Sequence, residues 1–246
     1  MKLIKNIFAR CWALWGLISF VATFILAYLP FLICFFIKDE RKSQVYFKTI
    51  SAYWMKAWLL LIGCRIKIHG IENFQPEKNY VVIFNHNALL DIPLSSPFLP
   101  GVNKTIAKSS FAKIPIFGLY YAKGSVLVDR KNNASRAKSF EDMKATLKKG
   151  FHMCIYPEGT RNRTNEIIKP FFDGAFKLAI DTNKEIIPCI IKGTKIAMPI
   201  EKKFYLMPAT LELYFLNPVS PENTTVKELN TKLYNIMKQN CIEKEI

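Results

Sequence analysis

Residues 80–91 read Tyr80-Val81-Val82-Ile83-Phe84-Asn85-His86-Asn87-Ala88-Leu89-Leu90-Asp91. Five apolar, mostly β-branched or aromatic residues form a short run typical of a strand buried on both faces. A polar turn holding a histidine follows directly. Three further runs have the same character: Ser125–Val128, Phe151–Tyr156 and Ile186–Ile191. Thr210–Phe215 instead alternates apolar and polar, which places it nearer a sheet edge. Pro188 lacks a backbone donor, so the fourth run is expected to start or bulge there.

Helical patterns separate these runs. Over 135–149, Phe140, Met143 and Leu147 recur at three- and four-residue spacing, and Gly150 is placed as the stop. Residues 171–182 repeat the pattern. A last helix, from Val226 to about Ile242, opens on Thr225-x-x-Glu228, the spacing of a capping box. Strands alternating with helices give an α/β fold with a largely parallel central sheet flanked by helices.

Upstream the chain is different. No charged residue occurs between Cys11 and Ile37, about 27 positions where roughly 20 suffice to cross a bilayer. The run is longer than a signal-peptide core and ends without a small-residue cleavage site, so it is expected to be retained. Pro30 is expected to kink the helix or turn it back within one leaflet. Residues 52–64, with Tyr53, Trp54 and Trp58, are too short to span. They fit an interfacial helix or a buried core helix. The expected division is a membrane-associated helical segment over 1–64 and an α/β domain over 65–246.

Composition narrows the function. Thirty-five Lys and Arg against 19 Asp and Glu give a net charge of +16, suited to a polyanionic surface. Nucleic acid is disfavoured by the apolar N-terminus and the lack of any recognisable nucleic-acid module. Six cysteines without a C-x-x-C pair, and only three histidines, support neither a metal site nor a disulfide framework, and suit a reducing compartment.

Chemistry-bearing residues gather just after the strands. A neutral His86 can take a proton from an alcohol, best when a carboxylate such as Asp91 fixes its tautomer. Five residues make about 500° of helix, so the two can meet only if His86 lies in the turn and Asp91 opens the helix. A strand-to-helix turn with an acidic first residue is the plainer alternative. Tyr156-Pro157-Glu158-Gly159-Thr160-Arg161 offers a flexible backbone, a hydroxyl and a planar donor fork. Arg130, closing Gly124-Ser125-Val126-Leu127-Val128-Asp129-Arg130, and Lys108 add cations near strand ends. With Arg161 they suit an anion, though any one alone reads as a solvated charge.

Taken together, these stretches resemble the glycerophospholipid acyltransferase family, most of all 1-acylglycerol-3-phosphate acyltransferases of bacterial type. Asn85-His86-x4-Asp91, Gly124 to Arg130, Glu158-Gly159-Thr160-Arg161 and Ile187-Pro188 are similar to the family's four blocks, in order, over residues 80 to 195. Ala88 departs from the serine frequent in the family, and Asn87 stands at a variable position. The resemblance implies a membrane enzyme, its catalytic domain on the cytoplasmic face. It would move an acyl chain from acyl-CoA or acyl carrier protein to the 2-hydroxyl of lysophosphatidic acid, without cofactor or metal. It implies His86 as general base with Asp91, and Arg130 and Arg161, joined by Lys108, on the phosphate. Asn85, Gly124, Glu158, Gly159, Thr160 and Pro188 would line the substrate site. Another lysophospholipid or an aminolipid is the alternative acceptor.

Overall fold

A computed structural model describes residues 2–245. Seven strands form one sheet in the order β1-β7-β6-β2-β5-β3-β4. They are β1 (Arg65–His69), β2 (Val81–Phe84), β3 (Asn103–Lys108), β4 (Ser125–Val128), β5 (His152–Ile155), β6 (Ile186–Lys192) and β7 (Thr210–Phe215). Every neighbouring pair is parallel except β6–β7, so β1 and β7 run against the other five.

The central strand β2 is buried along its whole length because helices cover both faces. Val82 and Phe84 face a layer built by α1 (Lys2–Leu32) and α2 (Glu40–Leu61). Val81 and Ile83 face α5 (Asn133–Lys148), α6 (Gly174–Thr182) and α8 (Val226–Glu243). Trp54, Met55, Trp58 and Leu59 of α2 share one core cluster with Val82, Phe84 and Leu213, so the N-terminal helices complete the sheet's packing.

Local signals in the sequence explain several boundaries. Thr225 accepts from the Glu228 amide while the Glu228 carboxylate accepts from the Thr225 amide, the reciprocal cap that starts α8. Gly150 adopts φ +77° and ends α5, a conformation that a side chain would strain. The short helices α3 (Asp91–Ser95), α4 (Phe117–Lys123) and α7 (Thr194–Ala197) fill the loops around the future site.

Three expectations are corrected, at Pro30, Pro188 and β4. α1 continues through Pro30 to Leu32, because a proline in the final turn removes one hydrogen bond without breaking the helix body. The chain then reverses through residues 33–39, and Asp39 caps α2 by accepting from the Lys42 amide at 2.7 Å. Strand β6 neither starts nor bulges at Pro188, which stands in register with Ile83. The Pro188 carbonyl accepts from the Leu216 amide at 2.8 Å, and the β6–β7 ladder ends one pair later, at Cys189–Phe215. β7 stands next to the edge, as its alternation implied; the edges are β1 and β4, so β4, read as buried on both faces, is instead an edge strand with alternating burial. Of the two readings for residues 52–64, Trp54 and Trp58 follow the core one, at 6% and 5% exposure.

Candidate active site

The loop after β2 is pinned at its first residue. Asn85 is fully buried, and its side-chain amide pairs with both backbone groups of Ile191 on β6, at 3.0 and 2.7 Å. The next residue, His86, lies in the turn, and Asp91 opens α3. One Asp91 oxygen, Oδ2, accepts three bonds: from the amides of Asn87 (2.6 Å) and Ala88 (2.8 Å) and from His86 Nδ1 (2.7 Å). A carboxylate only accepts, so the His86 proton sits on Nδ1 and Nε2 is left with a lone pair. With four residues between His86 and Asp91, one carboxylate organises the whole turn and fixes the tautomer.

Tyr156, at the end of β5, packs its ring 4.4 Å from the imidazole, centroid to centroid, and its hydroxyl meets Ser95 Oγ at 2.7 Å. Burial, and next the Asp91 charge, push the Tyr156 phenol well above its ordinary value, so it stays neutral.

A second loop, following β5, is stitched to the first. Glu158 is 1% exposed and clamps two backbones: Oε1 accepts from the His86 amide at 2.7 Å and Oε2 from the Lys169 amide at 3.0 Å. Burial raises its carboxyl above the usual range, against the opposing pull of those two bonds. The Asn162 amide donates to the His86 carbonyl at 2.7 Å, while its side chain bonds Glu166 and Thr164. Gly159 adopts φ +72°, and a Cβ there would stand 2.7 Å from the Phe172 ring. Arg130 Nη1 donates to the Gly159 carbonyl, and Lys169 Nζ donates to Thr160 Oγ1 at 2.8 Å.

Beside these loops lies a cavity of about 780 Å³, a size that suits a lipid-like ligand. Leu89, Leu90 and Arg161 bring the two loops to its wall, and Gly124 faces it from the end of α4. A side chain at Gly124 would collide with the Phe47 ring, so this glycine also lets α2 approach. Arg163, Lys202 and Lys203 line the same space.

The candidate residues therefore fall into three groups. His86, Asp91 and Glu158 form one network that Lys169 extends to Thr160; beside it Asn85 anchors the loop to β6 and Gly159 accepts from Arg130. Arg161 and Gly124 face the cavity. Lys108 is exposed at the end of β3, and Pro188 is buried inside β6; neither lines the cavity. The sequence reading gave no role to Tyr156, Ser95, Asn162 or Lys169. Only Asn162, in the turn-forming Asn162-Arg163-Thr164, carried a local signal.

Known proteins place this arrangement. The Acyltransferase family model matches residues 65–192, more than half of the chain. A 1-acyl-sn-glycerol-3-phosphate acyltransferase of Cocos nucifera is 30% identical over 178 residues, 72% of this chain and 56% of that protein. Another, of Saccharomyces cerevisiae, is 32% identical over 170 residues, 68% of this chain and 55% of its own. The chain thus spans little more than half the length of these curated relatives. The crystal structure of the 1-acyl-sn-glycerophosphate (LPA) acyltransferase PlsC from Thermotoga maritima shares the fold. Its TM-score is 0.82 at 23% identity, covering 100% of this chain and 98% of that one. With its His86–Asp91 turn inside the matched region, the chain belongs to the Acyltransferase family.

Proposed function

We propose that the chain transfers an acyl group from a thioester, on coenzyme A or acyl carrier protein, to the 2-hydroxyl of lysophosphatidic acid. The observation that carries this reading is the 2.7 Å contact between His86 Nδ1 and Asp91 Oδ2, which leaves Nε2 able to accept a proton. In the reaction, Nε2 takes the hydroxyl proton as the oxygen attacks the thioester carbonyl. The C–S bond then breaks, and the imidazolium returns its proton to the departing thiolate. Asp91 steadies the imidazolium. No covalent enzyme intermediate, cofactor or metal enters these steps. Arg161, with Arg130 and Lys108, meets the acceptor's phosphate, and the cavity holds an acyl chain.

The site is proposed to work at a bilayer surface on the cytoplasmic side. Supporting this are the exposed apolar face of α1, the positive net charge and six cysteines without a disulfide among them.

The test is the purified chain with a panel of lysolipids and aminolipids and both thioester donors, products identified by mass. Lysophosphatidic acid is expected as the preferred acceptor. His86→Ala and Asp91→Asn are each expected to lower turnover by about 10²–10⁴-fold. Near-normal turnover by folded His86→Ala would overturn the mechanism, and preference for an amine acceptor would overturn the substrate.

A further inference from the structure

One aromatic ring touches the imidazole that acyl transfer would use, and the steps above give it no part. Tyr156 follows β5, and its ring centroid lies 4.4 Å from that of His86, with the planes inclined by 39°. That tilt is well short of an edge-on meeting, and the separation is inside the about 6 Å over which an aromatic face attracts a cation. The hydroxyl is already engaged: it meets Ser95 Oγ at 2.7 Å, in a residue only 7% exposed. What Tyr156 offers the site is therefore its ring.

The ring is held from two elements. Phe84, the last residue of β2, packs on it at 5.4 Å between centroids. Ser95 is fully buried and ends α3, one helical turn after Asp91, so the phenol is tied to the helix that carries the carboxylate. Asp91 in turn accepts from His86 Nδ1. Imidazole, carboxylate and phenol thus form a closed set of contacts in which each fixes the next.

A neutral imidazole gains little from an aromatic face beyond ordinary packing. An imidazolium gains the attraction between its charge and the ring's quadrupole, most where water is kept out. Burial keeps the Tyr156 phenol protonated, so the ring carries no charge of its own. The contact therefore strengthens as His86 takes a proton. An interaction stronger in the transition state than before it raises turnover rather than affinity.

We propose that Tyr156 is a positioning residue for the transfer: its ring holds His86 against Asp91 and stabilises the imidazolium formed when Nε2 takes the acceptor's proton, while Ser95 fixes the ring. The role rests on the acyl-transfer reading and adds a second stabiliser of the imidazolium beside Asp91.

The experiment measures kcat and KM of the full chain in detergent, with lysophosphatidic acid and the faster of the two thioester donors. Phenylalanine and its mono-, di- and trifluorinated forms are placed at position 156, since fluorine drains the ring's face of negative charge while barely changing its shape. Tyr156→Phe and Ser95→Ala are expected to keep turnover within about threefold. From Tyr156→Phe onward, kcat is expected to fall with each fluorine, about tenfold across the series, at constant KM. Tyr156→Leu removes the face and is expected to lose about tenfold or more in kcat. A flat series in folded proteins overturns the proposal while the parent's acyl transfer stands. So does a loss in Tyr156→Phe as large as in Tyr156→Leu, which would assign the role to the hydroxyl. No acyl transfer by the parent with either donor overturns the reading itself, and the proposal with it.

Discussion

Two histidines in this chain, His86 half-buried and His152 buried, do opposite work, and the difference lies in what each nitrogen faces. His86 donates a hydrogen bond from Nδ1–H to Asp91. His152 instead accepts, through Nδ1, from the Tyr80 amide at 3.0 Å, with its ring stacked 5.7 Å from that of Tyr80. Burial first, and Lys48 second, hold the His152 pKa down to about 4. In the unfolded chain it would titrate near 6.5. The native state therefore resists a proton that the unfolded state takes up between those values, so stability present above pH 6.5 is lost as pH falls toward 4. The full loss is about 3 kcal/mol. His152→Asn keeps an acceptor near Nδ1 but cannot titrate. Its urea midpoint is expected to depend less on pH across that window than the parent's, and parallel slopes would sink the account. The sequence named His86 because a carboxylate stood five residues away. His152 was read only as part of a strand, since its partner amide is 72 residues distant and no linear pattern records it. Glu158 was legible as a motif member but not as the clamp on the His86 amide, for the same reason.

Elements with their signals inside their own span were the readable ones. The α8 cap and the α5 stop are local chemistry, and the limits of β4 coincide with its apolar run. Pairing between elements was not readable. All four tryptophans donate across the α1–α2 hairpin: Trp12 to the Ile62 carbonyl, Trp15 to Leu61, Trp58 to Gly16, and Trp54 to Thr23 Oγ1. In sequence, a Trp-rich apolar stretch fits a headgroup belt and a buried seam equally well, because both need one polar end satisfied. Trp58 decides it here, since both its indole and the Gly16 carbonyl it bonds lie in the buried seam. Trp58→Phe removes one donor to a carbonyl that keeps its Ser19 bond, and leaves a void. It is expected to destabilise by about 2 kcal/mol. Chemical denaturation of the full chain in detergent checks this, and a cost near zero would mean the seam is not packed as described.

At the scale of the molecule, the order of the motif blocks along the chain pointed to the family, and the cavity was invisible until α2 and β3 came together. What the hairpin does on its outer side can be argued from surface alone. Ile18, Val21, Ile25 and Leu29 recur at three- and four-residue spacing along α1, are 47–70% exposed, and face away from the core. Ile116 and Leu119, around the α4 turn that packs on Phe24, add exposed apolar surface of the same kind. From Ile18 to Leu29 this stripe runs about 17 Å along the helix, and with Ile116 and Leu119 it is more apolar surface than a soluble monomer ordinarily leaves uncovered. We expect this stripe, more than the net positive charge, to hold the protein on a bilayer. Ile18→Lys, Ile25→Lys and Leu29→Lys combined would each place a charge where lipid is expected, at about 2.5–3.5 kcal/mol near mid-membrane. All three positions lie outside the buried seam, so the thermal unfolding profile should change little. On neutral vesicles, where the added charge brings no attraction, the parent should sediment at low and high salt and the triple variant should stay in solution. Sedimentation of the variant would mean another surface carries the attachment; release of the parent by salt would give the larger share to the basic residues instead.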